Sequence, residues 1–375
     1  LSLTNDPFAV VRNPDVDIVI ELMGGTSPTK DLILEAINCG KNVVTANKAV
    51  IASFGEEIFA AVSRKKAQLG FEGAVAGGIP IIKILREGLV ANEISSLEGI
   101  INGTTNFILS GMARSGKTFT EVLQEAQNLG FAEQDPAFDI SGLDAAHKLT
   151  ILSAMIFGIS LETSRVYVEG IENVTFEDIK FAEKMGFKFK HLAIAKKKEN
   201  KLELRVHPML VPFNHALANV ESEMNAIHLR GDLLGPMTLV GAGAGAGPTA
   251  SAVVADLVDQ VRGNQSTLRL NRADESSNKI EIASIIDLES PRYIRVDVKN
   301  RPGMLALVTK TLAARKISIE SIIQNESEFD DSVVSIVIIT GIASEGQVQE
   351  VIKLMGDMSG IVGAIKHFRV QLFKN

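Results

Sequence analysis

Cysteine is nearly absent. Cys39 stands alone among 375 residues, which excludes an internal disulfide framework and suits a reducing compartment, so a cytoplasmic protein is expected. Basic charge is also scarce: Lys and Arg number 38 against 45 Asp and Glu, a formal net charge of −7, and no long basic stripe offsets it. A general nucleic-acid surface is thereby excluded. The longest apolar run, around residues 149–161, contains polar residues and is too short to span a bilayer. No basic segment followed by an apolar one opens the chain, so neither a membrane span nor an export signal is expected. An initiating methionine is missing too; opening on Leu1 with LSLTNDPFAVV, the sequence reads as a fragment of a longer chain.

What is present is ordinary for a globular protein: 46% hydrophobic and 22% charged residues, with length for two or three domains. DIVIEL, residues 17–22, is a short apolar run that stops at Gly24-Gly25 and suits a buried parallel strand. Ser27 as N-cap, Pro28 at the first helical position, DLILEAINC and a closing Gly40 predict a helix, and residues 42–45 predict the next strand. In such a strand–helix–strand unit ligands bind beyond the carboxyl ends of the strands, here Gly24, Gly25 and Thr26 and then Ala46, Asn47 and Lys48. Backbone amides of the first turn and the Lys48 ammonium suit a phosphate or carboxylate.

The dinucleotide fingerprint G-x-G-x-x-G does not occur between this first strand and helix. GAGAGAG, residues 241–247, matches only the relaxed form ending in Ala246. It leads through Pro248 and Thr249 into the amphipathic SAVVADLVDQV, so it is either a place of close backbone approach to a ligand or a flexible hinge. GMARSGKT, residues 111–118, matches the P-loop pattern. Thr118 followed by Glu121, however, is a T-x-x-E capping box, which sets Thr118 ahead of a helix and not within one, and no later strand supplies a metal-binding Asp.

FEGAVAGGI, residues 71–79, places glycines after Glu72 and before the helix that Pro80 starts; its carbonyls suit a monovalent cation, or its small residues suit close packing. LEGIINGTTNFIL, residues 97–109, reads as a strand followed by a polar loop, Asn102 to Asn106, that suits the wall of a polar pocket. His207, His215 and His228 lack metal-ligand spacing and read as structural or surface residues. Residues 263–280 are polar and form a linker. After it the pattern is β-α-β-β-α-β, a ferredoxin-like unit without a catalytic cluster, suited to regulation or assembly with another copy.

The densest chemistry lies in GFAEQDPAFDISGLDAAHK, residues 130–148. Ser141 is expected to N-cap a helix with Asp144 in its first turn, and Asp144 and Lys148 fall one turn apart on one face. A capping pair and a surface ion pair account for that spacing equally. The following LTILSAMIFG is apolar on nearly every side, though, which argues for a core helix and a desolvated lysine able to donate a proton or anchor a carboxylate. The Asp135-Pro136 step leaves Glu133 on a loop beside the helix start, where a carboxylate suits an ammonium.

The ordered set ELMGGT, VVTANK, FEGAVAGGIPII, INGTTNFIL, GFAEQDPAFDISGLDAAHK and GAGAGAGPTASAVVADL resembles homoserine dehydrogenase, and the tail from about Tyr293 resembles its ACT domain. The resemblance implies NAD(P)H-dependent reversible reduction of L-aspartate 4-semialdehyde to L-homoserine, for threonine, isoleucine and methionine biosynthesis. It implies Lys148 as proton donor, Asp144 orienting it, Glu133 on the substrate amino group, and Gly103 and Thr104 lining the substrate pocket. Thr26, Lys48 and Gly245 would touch the NADP or NAD cofactor, and Glu72, Val75, Gly77 and Ile79 would form a sodium or potassium site.

The implied α/β architecture is a truncated Rossmann-type nucleotide domain over 1–75 with a return helix at about 248–262. An α+β substrate, catalytic and dimerisation domain follows over 76–240, then a linker over 263–290 and a ferredoxin-like ACT domain over 291–375. Implied partners are an amino-acid effector, threonine, and further copies in a homodimer or homotetramer. The family's chains open with a strand and a G-x-G-x-x-G loop that this sequence lacks, which predicts weak dinucleotide binding and leaves cofactor preference unread. The alternative is an impaired amino-acid-binding regulatory and dimerising fragment.

Overall fold

A computed structural model describes residues 2–263, 280–326 and 332–371; most of the expected linker, 264–279, lies outside the described residues. The first unit is a parallel three-stranded sheet, Ile18–Glu21, Asn42–Thr45 and Leu69–Gly70, in that spatial order. Pairing runs in register from Ile18 with Asn42 to Glu21 with Thr45. The crossover helix Thr29–Asn38 buries Leu32, Ile33, Ala36 and Ile37 on one face, at helical spacing. Its N-cap is Pro28, without a side-chain cap, where Ser27 was expected.

The helix Lys48–Lys65 opens directly after the second strand, because Asn47 Oδ1 accepts from the Val50 amide at 3.2 Å. Asn47 Nδ2 also donates to the Gly25 carbonyl at 2.7 Å, which ties the two ligand-facing turns together. Against the same sheet lies a helix from far along the chain, Ala246–Val261. Gln260 Nε2 donates to Val43 O at 2.8 Å, and Asp256 Oδ2 accepts from the Glu72 amide at 2.8 Å.

The strands Ile94–Ile100, Phe187–Lys198, Lys201–Pro212, Met224–Gly231 and Gly235–Ala242 belong to a second, larger sheet. On it packs the helix Leu143–Phe157, whose Leu149, Ile151 and Leu152 share a core with Ala193, Ala195, Leu204 and Val206. The 111–118 stretch forms no phosphate loop. Gly111 to Ser115 finish the helix Gly103–Ser115, Gly116 caps it, and Thr118 makes a complete capping box with Glu121 at the start of Phe119–Asn128.

The C-terminal unit has strands Arg292–Lys299, Ile319–Glu326, Val333–Thr340 and Ile361–Val370 and helices Met304–Ala314 and Glu345–Gly356. Strand order from one side is second, third, first, fourth, all antiparallel, as a ferredoxin-like unit requires. The fourth strand then pairs in parallel with Lys201–Pro212, through Arg369 with Met209 and Val370 with Leu210, so one sheet of 11 strands runs through both units. Periodicity within a strand carries no information about such a junction. No helix among the described residues is long and apolar enough to cross a membrane.

Candidate active site

Helix Leu143–Phe157 starts at Gly142, in the left-handed region at φ 91°, and not at Ser141. Ser141 instead ends the short helix Ala137–Ile140 that Pro136 begins: it keeps helical backbone angles, its amide donates to the Ala137 carbonyl and its hydroxyl lies 3.5 Å from Phe138 O, so Gly142 takes the N-cap position. Asp144 and Lys148 do lie one turn apart and both are withdrawn from solvent, at 1% and 8% exposure. Lys148 Nζ donates to Asp144 Oδ2 at 2.7 Å and to the Ile101 carbonyl at 2.8 Å. Lys48 Nζ approaches Asp144 Oδ1 at 2.6 Å. A carboxylate is thus held between two ammoniums supplied by different units of the chain.

Two residues that local spacing did not single out complete the cluster. Asn102 Nδ2 donates to Asp144 Oδ2 at 2.9 Å and to Asp139 Oδ1 at 2.8 Å, while its Oδ1 caps the Thr105 amide at 2.8 Å. The Thr104 hydroxyl lies 2.8 Å from Phe131 O and 3.1 Å from Asp139 Oδ2. Gly103 is the first residue of that helix. Glu133 stands apart, exposed on its loop, with its carbonyl accepting from Gln127 Nε2 at 3.1 Å. Burial alone would raise the Asp144 carboxyl; the Lys148 and Lys48 ammoniums outweigh it and hold Asp144 well below the usual carboxylate range.

Beyond the parallel strands opens a cleft of about 690 Å³, lined by Gly24, Gly25, Asn47, Lys48, Thr249 and Val253 among others. Thr26 sits at the start of the crossover, its carbonyl accepting from the Lys30 amide at 3.0 Å. Gly245 is the N-cap of the helix Ala246–Val261, so the glycine run joins a strand end to a helix start. It is also a place of close approach. The Gly78 amide donates to Ala242 O at 2.8 Å, and a Cβ on Gly77, itself at φ 52°, would sit 2.5 Å from Gly243 O.

In the same 71–79 loop Val75, Gly77 and Ile79 are buried. The Glu72 carboxylate turns toward the next helix, accepting from the Ile82 and Lys83 amides at 2.8 Å each. Each carboxylate oxygen thus has one donor and keeps a further lone pair. The Glu72 and Ile79 carbonyls already accept from the Val75 amide at 3.4 Å and the Ile81 amide at 2.7 Å, and each carbonyl oxygen keeps a second lone pair.

Burial pushes Glu72 from 4.5 up to about 7. A folded-state value raised above the unfolded one means that folding takes up a proton between pH 4.5 and about 7, so stability falls as pH rises through that window. Urea denaturation followed across it should show this slope, and Glu72→Gln should reduce it to the share left by Asp256, which burial raises to about 6.

Lys48 belongs to both places: it lines the cleft, and its ammonium lies on Asp144. A cleft of this size beyond the carboxyl ends of parallel strands, adjoining a buried carboxylate–ammonium pair, suits a nicotinamide-dependent oxidoreductase. Comparison with known proteins narrows that class. The homoserine dehydrogenase model matches residues 80–258, its NAD binding domain model residues 2–72, and the ACT domain model residues 292–353. The chain belongs to the homoserine dehydrogenase family. It is 47% identical to the homoserine dehydrogenase of Pseudomonas aeruginosa, over 98% of this chain and 86% of that protein. The solved homoserine dehydrogenase of Thiobacillus denitrificans superposes with a TM-score of 0.91 at 46% identity, over 99% of this chain and 86% of the other. A hyperthermophilic archaeal homoserine dehydrogenase mutant solved in complex with NADPH matches at a TM-score of 0.61 and 28% identity, over 70% of this chain and 77% of that one. The chain is accordingly an NAD(P)-dependent oxidoreductase of the aspartate pathway carrying a C-terminal ACT domain.

Proposed function

We propose that the carboxylate–ammonium cluster is where L-aspartate 4-semialdehyde and L-homoserine are interconverted, and that Lys148 moves the proton. The nicotinamide, NADP or NAD, supplies or accepts the hydride when bound. As hydride reaches the aldehyde carbon, charge grows on oxygen, and the Lys148 ammonium neutralises it by giving up a proton. Asp144 stays anionic, aims Lys148 and shares Lys48 across the cleft mouth. The observation that carries this reading is Asp144, buried between Lys148 Nζ at 2.7 Å and Lys48 Nζ at 2.6 Å at the mouth of the cofactor cleft.

Thr26, Lys48 and Gly245 serve the cofactor, and Gly103 and Thr104 the substrate. Glu133, exposed on its loop, takes the substrate ammonium. Glu133→Gln should then raise KM for aspartate semialdehyde by about 10–100-fold, the worth of one charge-assisted hydrogen bond, and leave KM for NADPH unchanged. Steady-state assays varying one substrate at a time test this. The wider assignment is tested by NADPH and NADH oxidation with aspartate semialdehyde.

The carbonyls of Glu72, Val75, Gly77 and Ile79 hold sodium or potassium, stiffening the loop between the two units. We place the nucleotide domain at 1–75 with its return helix at about 248–262, the catalytic and dimerisation domain at 76–240, the linker at 263–290 and the ACT domain at 291–375. The ACT domain binds an amino acid, threonine by family, and assembles with another copy into a dimer or tetramer. In the described residues the strand Ile319–Glu326 ends the sheet, which leaves an edge suited to such pairing. With its lone cysteine, the protein works in the cytoplasm.

A further inference from the structure

One short strap connects the ACT domain to the back of the catalytic cluster. Its first two residues, Tyr167–Val168, pair in parallel with Arg205 and Val206 of the central strand, and the Glu169 amide continues that pairing to Val206 O at 2.8 Å. Two residues on, the Ile171 amide donates to Ile140 O at 3.0 Å. Ile140 closes the short helix that carries Asp139, the carboxylate bound by Asn102 and Thr104. The strap also underlies the start of the catalytic helix: a Cβ on Gly142 would meet Val168 and His191 at 3.0 Å, and His191 Nε2 lies 3.0 Å from Glu169 O.

From its other side the strap is gripped by the ACT domain. Glu169 Oε2 accepts from Arg369 Nη1 at 2.6 Å, and Tyr167, its hydroxyl 3.1 Å from the same oxygen, lies under the Arg369 guanidinium at 5.1 Å. Arg369, on the last ACT strand, also donates to Glu345 Oε2 at 2.8 Å, and Glu345 opens the second ACT helix and pairs with Arg292 of the first ACT strand. Arg369, Arg292 and Glu345 are all buried. A shift of that strand or helix therefore pulls on Glu169 before it reaches solvent, and Glu169 reaches the Asp139 helix through backbone alone.

We propose that Glu169 is a positioning residue for the reaction: held by Arg369, it sets the 167–171 strap and through Ile140 the placement of Asp139, so that the ACT domain tunes affinity for the amino-acid substrate. This rests on the reading of the Asp144 cluster as the site of that substrate. Glu169→Gln removes the charge and keeps the shape, and Arg369 retains Glu345, so the fold is kept. KM for aspartate semialdehyde should rise about 3–10-fold, a fraction of one charge-assisted hydrogen bond, while KM for NADPH stays within about twofold and the thermal midpoint within a few degrees.

Gly170→Ala approaches from the other end. A Cβ there would stand 2.1 Å from Glu172 Oε2, the end of a side chain that can swing away, and 2.6 Å from Ile140 O, backbone that yields only if strap and Asp139 helix move apart, so the same selective rise is expected. If Glu169→Gln left both KM values unchanged, or either variant raised them together, the strap would only support the fold and the proposal would be overturned. Failure of the site assignment reads differently: Lys148→Met turning over at the rate of the unchanged protein would overturn that reading whatever the two strap variants do, so the two failures are distinguishable.

Discussion

Replacing Lys148 by methionine is expected to lower kcat by about 10²–10⁴-fold, the usual worth of a positioned general acid, in aldehyde reduction and homoserine oxidation alike. Methionine fills a comparable volume, and Asp144 keeps Lys48 and Asn102 as partners, so the helix and the cleft persist. KM for NADPH should therefore change little. Steady-state rates in both directions with purified variant check this, and a variant within threefold of the unchanged protein would remove Lys148 from proton transfer.

Asp144→Asn should be costly in two ways. An amide cannot balance Lys148, an ammonium at 8% exposure, and leaving such a buried partner uncompensated costs about 3–5 kcal/mol. The variant should also lose activity, because its amide leaves Lys148 poorly aimed. The pH dependence has a definite sign. The folded-state carboxyl is held below its ordinary value, so its stabilisation is present above the unfolded pKa of about 4 and is lost as pH falls below it. Urea denaturation should therefore show a large gap between the two proteins at pH 7 that narrows as pH falls below about 4. A gap that stays constant to low pH would mean that the ionised carboxylate is not what is lost.

Local pattern carried much of this. The run of β-branched residues and the flanking turn residues located the second strand, Asn42–Thr45, to the residue, and the T-x-x-E box at Thr118 correctly outweighed the P-loop pattern. Both are properties of neighbours in sequence. The i, i+4 spacing likewise brought Asp144 to Lys148, and the apolar surroundings foretold their burial. Ser141 failed as a cap because Pro136 starts a separate short helix that uses it, and a capping motif does not reveal which of two adjacent helices claims a residue.

What was not legible depends on chain segments meeting at long range. Nothing about Lys48 in its own strand–helix turn indicates that its ammonium reaches Asp144, and Asn102 is visible only as one polar residue in a loop. The fusion of the ACT sheet to the central strand through Arg369 and Val370 is equally hidden, since parallel pairing of two residues leaves no periodic trace. These contacts make the candidate site a junction. The nucleotide unit contributes Lys48, the central unit Asp144, Lys148, Asn102 and Asp139, and the ACT domain braces the strap behind them.

The most direct test follows the hydride and the proton together. With NADPH deuterated at the transferable position of nicotinamide C4 and L-aspartate 4-semialdehyde, proton NMR of the product should show one deuterium on the hydroxyl-bearing carbon of homoserine. The unchanged protein should form it at a single-turnover rate that Lys148→Met misses by about a hundredfold or more. Homoserine without deuterium, or the same single-turnover rate in both proteins, would contradict the assignment of this cluster as the place where the aldehyde is reduced.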